Sequence, residues 1–385
     1  MSRAPDVDYS ATSLRPGWDS LPPALHEALA VALGTEITSV AKPVSSGFTG
    51  GFAARARLAD NRRVFIKAAP EGLHAYEAYQ REAEVVPQLP PSVRAPAIVT
   101  TAHTPNPAGF ADGKQAQARP HGERAGAHPH GDTASSPSSP ASEPTSASGP
   151  ASGPAAALPG GDGTRWFAVV SEWVEGRMPG TPWTVGDFGR VTAACEGMAD
   201  ALRPSPLDGL SPFAELVGDD VGVPAQILAG EREMPIGLQS WLPRVLPELA
   251  ELATLAPEAL SGDSATHSDL RPDNLLIDDA GTCWVVDWNW LTLGPRWVDW
   301  VGLLPIAQHH GIDTFTAVTR SPLTADVPKD HLDCLVAVIA AYMMKNTDAP
   351  PPPGCTPALR DHQRLFAWTF LDWLAVRRGW PTVEV

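Results

Sequence analysis

The run His267-Ser-Asp-Leu-Arg-Pro-Asp-Asn274-Leu-Leu-Ile-Asp and the later Val285-Val-Asp287-Trp set an aspartate (Asp269), an amide (Asn274) and a second aspartate (Asp287) on two short apolar segments. A turn at Asp278-Asp-Ala-Gly281 joins them. Together they supply a carboxylate that takes or orients a hydroxyl proton and hard oxygen ligands for a divalent cation such as Mg²⁺. Phosphoryl transfer from a nucleotide needs such a set. Asp, Asn and Pro also favour turns on their own account, so an ordinary surface hairpin is the competing reading. The order of the surrounding elements decides between them.

Those elements divide the chain unevenly. Leu21 to Leu33 reads as a short amphipathic helix, with prolines at its start and Gly34 at its end. Ile37 to Val44, Phe52 to Leu58 and Arg63 to Ala68 alternate or run apolar as strands, Leu73 to Leu89 has helical periodicity, and Ala97 to Thr101 reads as a strand. From His103 to Asp162 the chain is Pro, Ala, Ser, Gly and Thr with scattered His, too poor in large apolar residues to offset its conformational entropy; disorder is expected there. Its histidines (His121, His128, His130) lack the Cys or carboxylate organisation of a metal site. Strand character resumes over 165–174, and after Gly176 the helices expected are Val185 to Leu202, Gln239 to Leu255, Leu332 to Met344 and Pro357 to Arg378. The fold class is therefore α+β and bilobal: a small β-rich N-lobe over 1–176 carrying a disordered insertion at 103–162, a hinge at 171–174, and a larger helical C-lobe over 177–385 with the catalytic loop and acceptor site.

Lys67 ends a buried strand, Val64-Phe-Ile-Lys67, where an ammonium must pair or neutralise. Glu77, Glu82 and Glu84 on the next helix are available partners. Upstream, Ser45-Ser-Gly47-Phe-Thr-Gly50-Gly51-Phe lies between two strands, and its glycines let backbone N–H groups approach an anion closely.

With His267, Asp269, Asn274 and Asp287 in register, the chain resembles the aminoglycoside phosphotransferase family, the small-molecule branch of the protein-kinase-like fold. The resemblance covers roughly residues 35–305 apart from the insertion. It implies ATP and Mg²⁺ as cofactors and transfer of the γ-phosphate to a hydroxyl of a small molecule, an aminoglycoside-like antibiotic foremost. It assigns Asp269 as base and Asn274 and Asp287 as metal ligands. Lys67 contacts the α- and β-phosphates with Glu82 as its partner, and the Gly47 and Gly50 turn covers the phosphates. By position alone, Ser171 and Trp173 become hinge contacts for adenine; Trp173 either flanks the base or belongs to the core. Arg271 stands where protein kinases carry a lysine and either contacts the γ-phosphate or forms a surface salt bridge. His267 and Asp299 are read as structural, Asp299 accepting N–H bonds from the catalytic loop. The turn departs from G-x-G-x-x-G, and Asp287 is followed by Trp-Asn-Trp rather than Phe-Gly.

A metabolic kinase acting on choline, homoserine, a sugar or a fructosamine-like acceptor fits the same motifs, as does a nucleotide-binding pseudokinase acting by interaction. The formal charge of −16 argues against nucleic acid as a partner. Acidic residues of the helical half (Asp187, Glu196, Asp200, Asp219, Asp220, Glu231, Glu233) either draw a cationic acceptor or form a solvated face. Tryptophans 183, 241, 297, 300, 368 and 373 either stack on an acceptor or are core. Four scattered cysteines without C-x-x-C spacing, and no apolar stretch of spanning length, lead to the expectation of a cytoplasmic protein with no membrane partner.

Overall fold

Leu25, Leu29 and Leu33 recur every fourth position along Pro23–Leu33 (α1), which starts on a proline and ends on Gly34 in the left-handed region. The computed structural model describes residues 12–44, 46–47, 50–104, 163–352 and 355–383, all within one compact unit. The leucine stripe packs on a five-stranded antiparallel sheet: Ile37–Val40 (β1), Phe52–Leu58 (β2), Arg63–Pro70 (β3), Ile98–His103 (β4) and Trp166–Glu172 (β5), in the order β1-β2-β3-β5-β4. Alternation decides the faces. Phe52, Ala54, Ala56, Val64, Ile66, Ala68, Ala168 and Val170 point towards α1, so Phe65 and Lys67 point the other way. That second face is covered in part by His74–Val85 (α2), whose buried stripe is Ala75, Ala78, Tyr79, Glu82 and Val85. A glutamate on the packed stripe of a helix requires a cation opposite it.

The larger half is helical: Val185–Ala201 (α3), Phe213–Leu216 (α4), Gly218–Val221 (α5), Val223–Leu228 (α6), Leu246–Thr254 (α7), Ala256–Ala259 (α8), Val298–His309 (α9), Thr314–Arg320 (α10), Lys329–Asn346 (α11) and Ala358–Arg378 (α12). Two small antiparallel ribbons are embedded between α8 and α9. Ser264–Thr266 (β6) pairs with Thr292–Gly294 (β9), and Leu275–Ile277 (β7) pairs with Cys283–Val285 (β8). This is the bilobal kinase-like arrangement. No helix among the described residues is long and apolar enough to cross a membrane.

Several expectations need correction. The strand begun at Ile37 ends at Val40 rather than Val44, because Pro43 has no N–H for the ladder; isolated bonds from Ala41 and Val44 keep that stretch beside β2. The helix expected over Gln239 to Leu255 is broken into a 3-10 turn at Leu242–Arg244 and α7, with Pro243 and Pro247 each at the start of a new segment. Helix α9 was not expected as a helix at all. It is buried nearly all round and carries Pro305, so it shows neither a polar face nor a clean helical sequence signal. Of the six tryptophans, 183, 241, 297, 300 and 373 are core, and Trp368 is half-buried against it.

The expected disorder over 103–162, and its three histidines, fall almost wholly outside the described residues; β4 itself runs to His103. The described ends of the insertion meet. His103 pairs with Phe167, and Thr104 and Trp166 exchange two hydrogen bonds of 2.8 and 3.1 Å. The described chain thus leaves β4 and enters β5 at adjacent points. Closing a longer loop costs only about 0.6 kcal/mol per doubling. Replacing 105–162 by a short turn should therefore hold or slightly raise Tm in calorimetry; a loss beyond about 5 °C would show that the segment contributes packing.

Candidate active site

Lys67 reaches three carboxylate oxygens. Its Nζ donates to Glu82 Oε1 (2.9 Å) and Oε2 (2.7 Å) and to Asp287 Oδ1 (2.7 Å), which uses all three of its donors. Strand β3 carries the ammonium, α2 the first carboxylate, and Asp287, two residues past the β7–β8 ribbon, the second. The side chains of Lys67 and Glu82 are 14% and 8% exposed, so the pair sits in a poorly solvated space. Burial disfavours the lysine's charge, but Asp287 and Glu82 outweigh it and raise the ammonium above its ordinary range. Burial likewise works against the charge of Asp287, where Lys67 prevails and the carboxyl is lowered.

The β7–β8 ribbon sets the second cluster. Leu275 pairs with Val285, and Val286 N–H donates to Asn274 C=O (3.0 Å), so Asn274 and Asp287 lie on adjoining strand ends. The turn at its far end closes through Asp278, which accepts from Gly281 N–H at its carbonyl (2.9 Å) and from Thr282 N–H at Oδ1 (2.8 Å). Asp287 holds a left-handed backbone (φ 69°), uncommon for a residue with a side chain, and Asn289 supports its carboxylate through Nδ2 (3.2 Å).

The loop at 267–271 is held from beneath. Buried Asp299, at the start of α9, accepts His267 N–H (2.8 Å) and Ser268 N–H (2.9 Å) on its two oxygens, the position read for it from sequence. Ser268 also lies in the left-handed region (φ 66°), and its hydroxyl bonds Thr266 and Thr292. The fully buried His267 ring bonds Val286 C=O through Nε2 (2.9 Å) and faces Asp269 N–H through Nδ1 (3.4 Å). Both contacts are met if Nε2 carries the proton, which suits a structural part. Asp269 projects from this loop; Asn274 Nδ2 donates to its carbonyl (2.7 Å). Burial pushes the Asp269 carboxyl above its ordinary value, with Arg271 partly offsetting that.

Arg271 lies inside the site. Its guanidinium grips Asp273 through two bonds (3.1 and 3.2 Å) and stands 3.4 Å from Asp269 Oδ1, with its side chain only 17% exposed. The surface salt bridge envisaged for it is thus replaced by a largely buried one. Asn274 Oδ1 and Asp287 Oδ2 accept no hydrogen bond from the described residues, while their partner atoms are engaged. Two open hard oxygens suit Mg²⁺, which takes few protein ligands and leaves the rest of its shell to water and phosphate. Among the described residues no three His, Cys, Asp or Glu side chains converge as a metal cage.

The glycine turn is described at Ser46–Gly47 and from Gly50 onward. Gly47 (φ 84°) and Gly50 (φ 70°) both have left-handed backbones, and a Cβ on Gly51 would stand 2.9 Å from the Tyr79 hydroxyl. Ser171 lies opposite Phe65 in the β3–β5 ladder, on the Lys67 face of the sheet. Trp173 is half-buried on that face rather than in the core, its ring 5.8 Å from Phe65. Sequence reasoning missed Arg15 and Tyr79 at the turn, and quoted Gly51 and Asp273 within their runs without giving either a role of its own. Gly51 alone carried a signal, standing next to Gly50.

On the acceptor side, several of the acidic residues are already engaged. Asp187 pairs with Arg177 (2.6 Å), Asp200 with Arg296 (2.7 Å) and Asp220 with Lys345 (3.1 Å), and Glu196 accepts from Ser321 (2.9 Å). Those four are engaged, whereas Asp219, Glu231 and Glu233 are exposed.

Removing the cation at the centre leaves two poorly solvated carboxylates facing each other. Lys67→Met should cost about 3–5 kcal/mol in urea unfolding, the range for breaking a buried pair, and adding Glu82→Leu should recover part of the loss. Equal stability of Lys67→Met and wild type would show that the cluster is well solvated.

Residues 147–321 match the model of the phosphotransferase enzyme family. No curated protein matches the chain. Among solved structures, a thermostable mutant of aminoglycoside phosphotransferase APH(4)-Ia in ternary complex with ADP and hygromycin B is similar at a TM-score of 0.52 and 11% identity, over 94% of this chain and 100% of that one. The same enzyme with AMP-PNP and hygromycin B gives 0.52 and 12%, over 93% and 99%. Spectinomycin phosphotransferase APH(9)-Ia with ADP and spectinomycin gives 0.46 and 11%, over 89% and 92%. The likeness to APH(4)-Ia concerns the fold. With the kinase-like fold on the page, the family model spans the strand β5, the loop at 267–271 and the helix behind it, so this part of the chain is similar to the phosphotransferase enzyme family.

Proposed function

We propose that this small-molecule phosphotransferase moves the γ-phosphate of ATP, with Mg²⁺, to a hydroxyl of an aminoglycoside-like acceptor. The observation that carries the reading is the junction of Lys67, Glu82 and Asp287 beside the loop of Asp269 and Asn274. An ammonium at the end of β3 binds the α- and β-phosphates, and Glu82 keeps it charged and aimed. Glycines 47 and 50 bring backbone N–H groups over the phosphates. Phe65 and Trp173, with Ser171 between the strands, form the apolar and polar edge that receives the adenine. Mg²⁺ held by Asn274 Oδ1 and Asp287 Oδ2 would neutralise charge on the phosphates. That ADP or AMP-PNP, each with hygromycin B, occupies two structures of the same fold supports the nucleotide and the acceptor class. A cytoplasmic setting, where ATP is plentiful, fits this chemistry.

The proton inventory belongs to the chain's own residues. Asp269 orients the acceptor hydroxyl and takes its proton as the new O–P bond forms. Its raised carboxyl makes it a better base than an exposed aspartate. Arg271, already beside Asp269, is placed to meet negative charge on the transferred group.

Three results follow. A coupled assay with ATP–Mg²⁺ should show turnover with aminoglycosides in a panel that also holds choline, homoserine, sugars and fructosamines; turnover confined to the other acceptors would overturn the acceptor class. Asp269→Ala should lower kcat by ~10²–10⁴-fold, the range for general-base assistance, at nearly unchanged ATP affinity. Because the base must be ionised and burial raises its pKa, kcat should fall as pH drops, with a midpoint above the ordinary aspartate value of 3.8. A flat acid limb down to pH 4 would remove Asp269 from the role.

A further inference from the structure

Arg15 lies ahead of α1, far from every motif, yet its guanidinium is inserted into the glycine turn. Nη2 donates to Ser46 C=O (2.8 Å), and Nη1 donates to Gly51 C=O (2.5 Å) and contacts the Tyr79 hydroxyl (3.5 Å). The two carbonyls belong to opposite ends of the turn, so one planar fork spans it. Tyr79 sits on the buried stripe of α2, one helical turn before Glu82, and its ring centroid is 5.7 Å from Lys67 Nζ. A neighbouring residue adds to the hold: Thr12 Oγ1 donates to Gly47 C=O (3.0 Å). The segment is itself anchored to the helical half, since Ser13 bridges Cys355 and Thr356 N–H donates to Thr12 C=O (3.3 Å).

The charge balance of this arginine is unusual. It is half-buried, every partner it has among the described residues is a carbonyl or a phenol, and its Nε is buried without a hydrogen bond. A guanidinium out of bulk water normally takes a carboxylate, because its charge is otherwise poorly compensated. Here the carbonyl dipoles satisfy its geometry and leave its net charge standing at the turn. A turn that wraps anionic groups gains from that charge twice: the fork fixes the spacing of its ends, and the field favours the phosphates.

We infer that Arg15 is a positioning residue for the phosphate end of the nucleotide, clamping the glycine turn against α2 and contributing an uncompensated positive charge there. This rests on the reading that the turn covers a nucleotide's phosphates. The test compares ATP–Mg²⁺ with adenosine, by isothermal titration calorimetry on the full chain, because adenosine keeps the base and lacks the phosphates. Arg15→Ala should weaken ATP about tenfold, the scale of losing charge-assisted bonds, and leave adenosine unchanged. Arg15→Lys keeps the charge but cannot span both carbonyls, and should weaken ATP about threefold with adenosine again unchanged; it carries the test if the alanine variant does not fold. ATP affinity equal to wild type in the folded variants, or equal losses for ATP and adenosine, would overturn the inference. Wild-type protein that binds ATP no better than adenosine would instead refute the nucleotide reading, and this inference with it.

Discussion

One ammonium organises the site. Lys67 arrives on a strand whose alternation faces it away from the α1 core, into a space where water is scarce. Desolvation alone would drive such a group neutral; two carboxylates from separate parts of the chain reverse that outcome. The sheet, α2 and the end of the β7–β8 ribbon must therefore approach to within hydrogen-bonding distance of a single atom. That constraint sets how the β-rich lobe meets the helical one at the place where chemistry would occur.

The catalytic loop depends on a second buried acid. Two residues with side chains, Ser268 and Asp287, hold left-handed backbones, a conformation that persists only when its surroundings over-determine it. Asp299 supplies much of that for Ser268, with one carboxylate oxygen for each of two consecutive N–H groups. His267 joins the loop to the strand before Asp287, and Trp288 stacks edge-on against it 4.9 Å away. Asp269 is then flanked at 3.4 Å by Arg271 on Oδ1 and by the Asn274 amide on Oδ2, while Asn274 Oδ1 accepts no hydrogen bond from the described residues. Rigid support of this kind would spare the proposed base and metal ligands reorganisation during transfer.

Much of this was legible residue by residue. Strand β2 was read with its observed bounds, Phe52 to Leu58, while β3, read as Arg63 to Ala68 around a lysine that must be paired, runs two residues further to Pro70. The turn at Asp278 to Gly281 followed from its residue types, and the ribbon it closes brings Asn274 beside Asp287. Other parts were silent. Helix α9 is buried on all sides and carries Pro305, so no amphipathic period marks it. Prolines 243 and 247 restart the chain inside a stretch whose apolar pattern alone looks like one helix. The acidic residues of the helical half look available in sequence, yet partners distant along the chain hold Asp200 and Asp220.

By itself the chain determined which chemical groups are present, their order, and the local geometry that alternation, turns and caps impose over a few residues. That is enough for a bilobal α+β fold and for an oxygen-rich hairpin below a lysine-bearing strand. Tertiary structure alone decided the pairings. Lys67 meets Asp287 across 220 positions, Arg81 reaches Leu291 across 210, and Arg15 finds Gly51 with nothing in its neighbourhood to announce it. Local propensity acts through neighbouring backbone, whereas such contacts arise only when packed elements bring together charges and dipoles that must compensate one another out of water.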